Sequence, residues 1–123
     1  MAAATVTLLT SGTQALEGTG DAVDISNNAQ VRMTISAAVD HGQDPDLSVW
    51  FETAPSSSGP WREIERVRMM PGSSSYPWNS AKRVVLPAAD NFLKVAWSLR
   101  YRNATTPPQT FTLGVSGTAV VSA

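Results

Sequence analysis

The sequence predicts an all-β fold, a single-domain antiparallel β-sandwich of about eight strands. Apolar residues alternate with polar ones in segment after segment, and no amphipathic pattern reaches the length of a three-turn helix. Clusters of Gly, Pro, Asn and Ser separate the alternating segments, as turns separate the short strands of a sandwich. The length of 123 residues and a content of 42% hydrophobic residues suit one folded core, so we expect one domain over residues 1–123.

The strongest alternation lies in residues 31–39, 47–53 and 92–101, where the apolar members share one face. In the second of these segments the opposite face carries Trp50 and Glu52, which predicts a second buried face or a contact surface. The inward side chains that we expect are Val31, Met33, Ile35, Ala37, Val39, Leu47, Val49, Phe51, Leu93, Val95, Trp97, Leu99 and Tyr101.

Weaker patterns complete the strand set. The parity of apolar residues slips within residues 61–69, which predicts a β-bulge near Ile64, and residues 54–60 have the proline and glycine content of a hairpin loop. Residues 1–9 fit either an extended N-terminal arm or an edge strand. Eight short strands suit both a jelly roll and an immunoglobulin-like sandwich, so the strand order stays open. Further strands are expected at 4–9, 22–26, 61–69, 82–87 and 109–121, with longer connections at 10–21, 70–81 and 102–108.

The formal net charge of −1 indicates neither a nucleic-acid nor a membrane partner, but the two halves of the chain differ in sign. Residues 1–61 hold seven acids and one base, whereas residues 62–123 hold eight bases and three acids. One interpretation is that the strands interleave and mix these charges on the surface. The other is a bipolar surface suited to head-to-tail contact between subunits.

The residues give no pattern of catalysis, so we predict that the chain is not an enzyme and needs no cofactor. There is no cysteine, and the single histidine, His41, lies in a turn-like segment. No serine of the chain lies in the G-x-S-x-G pattern of a nucleophile elbow. Asp40, Asp44 and Asp46 cluster beside it, but their spacing does not match a calcium loop and aspartates are common in turns. No metal site is predicted, and the N-terminus lacks the pattern of a signal peptide, so we expect synthesis in the cytoplasm.

The aromatic residues are the more informative group, because four tryptophans occur in 123 residues. Tryptophan, tyrosine and arginine are enriched at protein interfaces, whereas exposed aromatic rings also stack on sugars. Alternating Glu63 and Glu65 dilute any basic potential for nucleic acid. The interface candidates are Trp50, Trp61, Arg62, Arg66, Arg68, Tyr76 and Trp78.

Several segments that together span most of the chain share the style of one class of protein. They are the opening Ala4-Thr-Val-Thr-Leu-Leu-Thr10 and the strands Val23-Asp-Ile-Ser26 and Val31-Arg-Met-Thr-Ile-Ser36. The hairpin Phe51-Glu-Thr-Ala-Pro-Ser-Ser-Ser-Gly-Pro-Trp61 and the segment Leu93-Lys-Val-Ala-Trp-Ser98, leading to Phe111-Thr-Leu-Gly-Val-Ser-Gly-Thr118, belong to the same set. In these segments the chain resembles the small all-β virion proteins of tailed bacteriophages, particularly capsid decoration or cement proteins. The hairpin departs from the usual form, with Ser56-Ser57 where an aspartate-glycine pair often stands.

The resemblance implies a jelly-roll-like, non-enzymatic protein on the capsid surface of a virion, made in the host cytoplasm. Its implied partners are the major capsid protein and further copies of itself, with a homotrimer favoured. The alternatives are a phage tail or head-fibre component, or a carbohydrate-binding module. The positions of the tryptophans separate these classes, because a coplanar exposed row favours sugar and a subunit joint favours assembly.

Overall fold

The structure is a computed structural model, and it describes residues 3–25, 30–39, 45–69, 78–87, 90–102 and 109–120. Over these residues the chain forms nine strands and no helix, which confirms the predicted all-β fold. None of these segments is a helix that is long and apolar enough to cross a membrane. The strands are β1 Ala3–Ala15, β2 Glu17–Thr19, β3 Val23–Asp24, β4 Gln30–Ala38, β5 Pro45–Ala54, β6 Arg62–Met69, β7 Trp78–Val85, β8 Phe92–Tyr101 and β9 Thr110–Val120.

The strands form two antiparallel sheets. Sheet A has the order β1-β9-β4-β7, and sheet B has the order β2-β8-β5-β6, with β3 also paired to β8. Because β2 and β3 pair with the same neighbour, they act as one interrupted strand. The two sheets then have the strand order of a jelly roll, in which successive strands lie in opposite sheets except at the β5–β6 hairpin. An immunoglobulin-like order, with its first two strands paired in one sheet, does not fit.

The core lies between the two sheets and follows the predicted alternation. All of the inward residues expected in residues 31–39 and 47–53 are buried, and Phe51, Met33 and Ile35 are fully so. In β8 the prediction also holds, except that Tyr101 is only partly buried and Ala96, on the outer face, is buried as well. Strand β9 contributes Phe111, Leu113 and Val115. One continuous apolar core therefore joins both sheets.

The β5–β6 hairpin contains the two irregularities that the sequence indicated. Its loop is closed by a hydrogen bond of 3.1 Å from the Gly59 amide to the Ser56 carbonyl, and Gly59 has a φ of 97°, a conformation that favours glycine. Within β6 the register shifts, because Phe51 pairs with Glu65 and Glu52 pairs with Glu63. Ile64 is thus the extra residue of a bulge, as predicted.

Some predicted boundaries were wrong. The segment 10–21, expected as a connection, continues β1 to Ala15 and then forms β2. Its side chains alternate between exposed and half-buried rather than between polar and apolar, so hydrophobic periodicity could not reveal it. Strand β7 also begins earlier than expected, at Trp78.

Each side of the sandwich brings together one edge strand of each sheet. On one side β1 of sheet A approaches the link after β2, and a Cβ built on Gly20 lies 2.5 Å from the Leu8 carbonyl oxygen. On the other side β6 and β7 are joined by an ion pair of 3.0 Å between Lys82 Nζ and Glu65 Oε2. Charged residues directed across an open edge hinder unwanted strand pairing there.

Candidate interaction surface

The outer face of sheet B carries an aromatic feature centred on Trp50. Cross-strand register places Trp50 on β5 between Ala96 on β8 and Arg66 on β6. Ala96 lies on this outer face and is only 2% exposed, so neighbouring side chains cover it. Trp50 itself is half-buried, so it is held in place and still reaches the surface.

Charged side chains connect Trp50 to a second tryptophan. The Arg66 guanidinium lies 4.4 Å from the centre of the Trp50 ring, and Trp50 Nε1 donates a hydrogen bond of 3.0 Å to Glu52. Lys94 Nζ lies 3.6 Å from the Glu52 carboxylate and 4.3 Å from the centre of the Trp61 ring. Each cation–π contact at an exposed site contributes about 0.5–1 kcal/mol. We call this row of Trp50, Glu52, Trp61, Arg66 and Lys94 the Trp50 surface.

The bulge at Ile64 fixes the position of Arg66. It puts Glu63 and Arg66 on the same side of β6, where Arg66 donates hydrogen bonds of 2.6 and 3.1 Å to the Glu63 carboxylate. These hydrogen bonds hold the pKa of Glu63 below its ordinary value. Arg66 is therefore anchored by an acid on one side while it stacks on Trp50 on the other.

The bulge also separates Arg62 from the other two arginines of β6. Arg62 pairs with Thr53, and its guanidinium lies 3.5 Å from the buried carboxylate of Asp90. Asp90 in turn accepts a hydrogen bond of 2.7 Å from the Thr53 hydroxyl. Arg62 thus belongs to the rim of the core rather than to the Trp50 surface.

A second charged cluster lies further along the same face. Asp46 accepts two hydrogen bonds of 2.9 Å from Arg68 and one of 2.9 Å from Arg102. The two hydrogen bonds from Arg68, more than the single one from Arg102, lower the pKa of Asp46 to about 2, against the opposing effect of partial burial. The carboxylate stays charged at any physiological pH.

We expect Asp46→Asn to lower the free energy of unfolding by about 1 kcal/mol at pH 7, because half-exposed arginines in water limit the strength of the cluster. The folded-state pKa is lowered, so the stabilisation is complete above the ordinary carboxyl pKa of 3.8 and disappears as the pH falls through about 2. Urea unfolding of wild type and variant at pH 7 and at pH 2 measures this difference. A difference that persists unchanged at pH 2 would contradict the charge pairing.

A shallow groove of about 450 Å³ runs beside Trp50 along β8. Trp50 forms part of its lining together with Glu17, Gly18, Thr19, Trp97 and Ser98. Trp97 is 4% exposed and donates a hydrogen bond of 3.0 Å to the Ala15 carbonyl, so it belongs to the core, as expected. Trp61 does not line the groove, because Glu52 and Lys94 lie between the two surface tryptophans.

The structure brings together three of the seven interface candidates, Trp50, Trp61 and Arg66. Arg68 lies two residues beyond Arg66 in the Asp46 cluster, and Arg62 lies at Asp90. Trp78 begins β7, but its side chain, like the whole of Tyr76, is outside the described residues. Sequence reasoning missed Lys94 and Glu52 as partners, because only the β5–β8 register shows that they face each other.

The predicted turn with His41 is outside the described residues, as are Asp40 and Asp44. Asp46 is described, and it binds arginines. Within the described ranges no three histidine, aspartate or glutamate side chains form a group that could hold a metal ion.

No family model matches the sequence, and no curated protein matches it significantly. Among solved structures, a chain in the structure of infectious bursal disease virus Gx strain is similar, with a TM-score of 0.55 and 10% sequence identity. The similarity covers 99% of this chain and 32% of the viral chain, so the protein spans about a third of the length of that neighbour. The jelly-roll sandwich is therefore a fold that this chain shares with a chain of a virus structure.

Proposed function

We propose that the protein is a non-enzymatic virion structural protein that binds the outside of a phage or phage-like capsid. In this role it acts as a decoration protein and stabilises contacts between major capsid subunits. The observation that carries the proposal is the jelly-roll similarity to a chain of a virus structure over 99% of the sequence. Jelly rolls are a common architecture of viral capsid proteins.

The Trp50 surface supplies the kind of contact that such a role needs. Tryptophan and arginine dominate the energetically important centres of protein interfaces, and here they are already held in position before binding. Side chains that are fixed in advance lose less conformational entropy on association. The separation of Trp50 from Trp61 by charged groups also favours a protein contact over a flat platform for sugar rings.

The proposal extends to copy number and location. Decoration proteins act at many equivalent positions of one lattice, so modest contacts add up through avidity. We propose self-association, with a homotrimer as the favoured form, on the capsid surface after synthesis in the host cytoplasm.

Replacement of Trp50 by alanine is expected to weaken binding to purified capsid shells by about 30-fold, equivalent to about 2 kcal/mol. The measurement is co-sedimentation of the purified protein with shells of the major capsid protein from the cognate phage. Trp50→Phe keeps an aromatic ring beside Arg66, so its affinity for shells should lie between that of wild type and that of Trp50→Ala. Thermal unfolding of each variant shows that the domain remains folded.

The matched control is Thr112→Ala, which removes an exposed side chain from the outer face of sheet A and should leave pelleting unchanged. Equal pelleting of Trp50→Ala and wild type would contradict the role of the Trp50 surface. Failure of the wild-type protein to pellet with shells, or binding to purified tails instead, would contradict the decoration function. Deletion of residues 1–9 is not a useful test, because it removes the buried side chains of Val6 and Leu8.

A further inference from the structure

The two sides of the sandwich, where the edge strands of the sheets meet, carry charges of opposite sign. Residues 3–25, which include β1, β2 and β3, contain Glu17, Asp21 and Asp24 but no lysine or arginine. All three carboxylate side chains are exposed. Since β1 is an edge of sheet A and β2 and β3 form the adjacent edge of sheet B, these acids lie on one side of the domain. We call it the acidic side.

The opposite side is formed by β6 and β7 and has the opposite sign. These two strands carry five basic residues and two acidic ones. The two acids are engaged within the same side, since Glu63 binds Arg66 and Glu65 binds Lys82. We call it the basic side.

Arg83 on β7 faces a like charge. It stands directly opposite Arg32 in the β4–β7 ladder, both residues are exposed, and neither forms an ion pair with a described residue. Like charges opposite each other destabilise a sheet. Protection of an edge from strand pairing does not account for Arg32, because β4 lies inside sheet A between β9 and β7.

The acidic side has a corresponding surplus of negative charge. Glu17 and Asp21 are exposed and form no ion pair within the described part of the chain. A second copy of the chain therefore presents two carboxylates that complement the two guanidinium groups of the first. Complementary patches of this kind accelerate encounter and set the register of association.

We propose that the protein assembles head to tail. The acidic side of one copy, around Glu17 and Asp21, binds the next copy at Arg83 of its basic side and at the neighbouring Arg32 of β4. A two-fold contact would place like charges together, so the charges select a heterologous contact. Repetition of a heterologous contact produces a closed ring when the rotation between copies closes. The contact involves this chain alone and does not depend on the proposed binding to a capsid.

The test uses three charge-reversed variants of the full chain and measures mass by sedimentation equilibrium over a range of concentrations. The first variant is Glu17→Lys with Asp21→Lys, the second is Arg32→Glu with Arg83→Glu, and the third combines all four changes. Each double variant should associate at least tenfold more weakly than wild type, because the side chains at positions 17, 21, 32 and 83 then all carry the same sign. The fourfold variant should regain the wild-type mass, since its charges are again complementary.

A mixture of the two double variants gives a further check, because the positive side chains of one variant at positions 17 and 21 complement the negative side chains of the other at positions 32 and 83. The mixture should form a complex that neither variant forms alone, and 1 M NaCl should weaken it. Thr112→Lys, which adds a charge to the inner strand β9 on the outer face of sheet A, outside the four contact positions, should leave the mass unchanged. A monomeric wild type, double variants that keep the wild-type mass, or a fourfold variant that stays monomeric would each overturn the proposal.

Discussion

Replacement of Phe51 by alanine is expected to lower the free energy of unfolding by about 3–5 kcal/mol. Phe51 has no exposed surface and lies in β5, between β8 and β6 in the middle of sheet B. Removal of its ring leaves a cavity that two rigid sheets cannot close by small shifts. Because small domains are stable by only about 5–15 kcal/mol, the midpoint of thermal unfolding should fall by roughly 10–20 °C.

Chemical denaturation of wild type and variant gives the free-energy difference directly. Phe51→Leu keeps most of the buried volume, so its free energy of unfolding should fall much less than that of Phe51→Ala. Val85→Ala removes an apolar side chain that is 58% exposed and should stay within about 0.5 kcal/mol of wild type. A loss below about 1 kcal/mol in Phe51→Ala would contradict the placement of this ring at the centre of the core.

Replacement of Gly117 by valine should lower the free energy of unfolding by a similar amount. The reason is the opposite one, because valine adds volume where Phe51→Ala removes it. Gly117 lies in β9 between Val6 of β1 and Met33 of β4. A Cβ at this position collides with the carbonyl oxygen of Arg32 and lies 2.9 Å from the Met33 Cα, so backbone rather than a flexible side chain must move. Valine gains at most about 1 kcal/mol from its higher strand propensity.

Forcing the strands apart should lower the free energy of unfolding by about 3 kcal/mol or more, which exceeds the gain from strand propensity. The expected net result is a strongly destabilised domain, measured by urea or thermal unfolding. The matched control is Gly12→Val in β1, where the nearest atom to an added Cβ is the Thr10 carbonyl oxygen at 3.9 Å. This control should be neutral or slightly stabilising. Equal effects at both positions would show that close packing at Gly117 is not responsible.

Much of the core could be predicted from the sequence, because residues 31–39 and 47–53 alternate without interruption and each is buried on one face only. The bulge at Ile64 was also predictable, since an inserted residue reverses the parity of the residues after it. The polar end of β1, from Thr10 to Ala15, was not predictable, because its pairing with β9 gives it no apolar periodicity.

The candidate surface was predictable only in part. Trp50 could be assigned to the outer face of its strand from parity alone, and Arg66 could be named as an interface candidate. Their contact depends on the β5–β6 register, and the contact of Lys94 with Trp61 depends on a strand that is distant in sequence. One sequence does not show which residues pair across strands. The contacts of Trp50 and Trp61 are therefore known only from the folded structure.

The hydrogen bond between Thr53 and Asp90 restricts the register in which β5 and β8 can pair. Asp90 is 5% exposed and lies two residues before β8, while Thr53 is fully buried and ends the inward row of β5. A slip of one residue between β5 and β8 turns the apolar row outward, whereas a slip of two residues keeps it inward and displaces the two groups by about 6.6 Å. After the two-residue slip the carboxylate remains buried without its donor, at a cost of about 1–3 kcal/mol or more. The polar pair therefore disfavours an alignment that the apolar row alone would accept, so sheet B is selected by the energy of its misaligned alternatives as well as by its own.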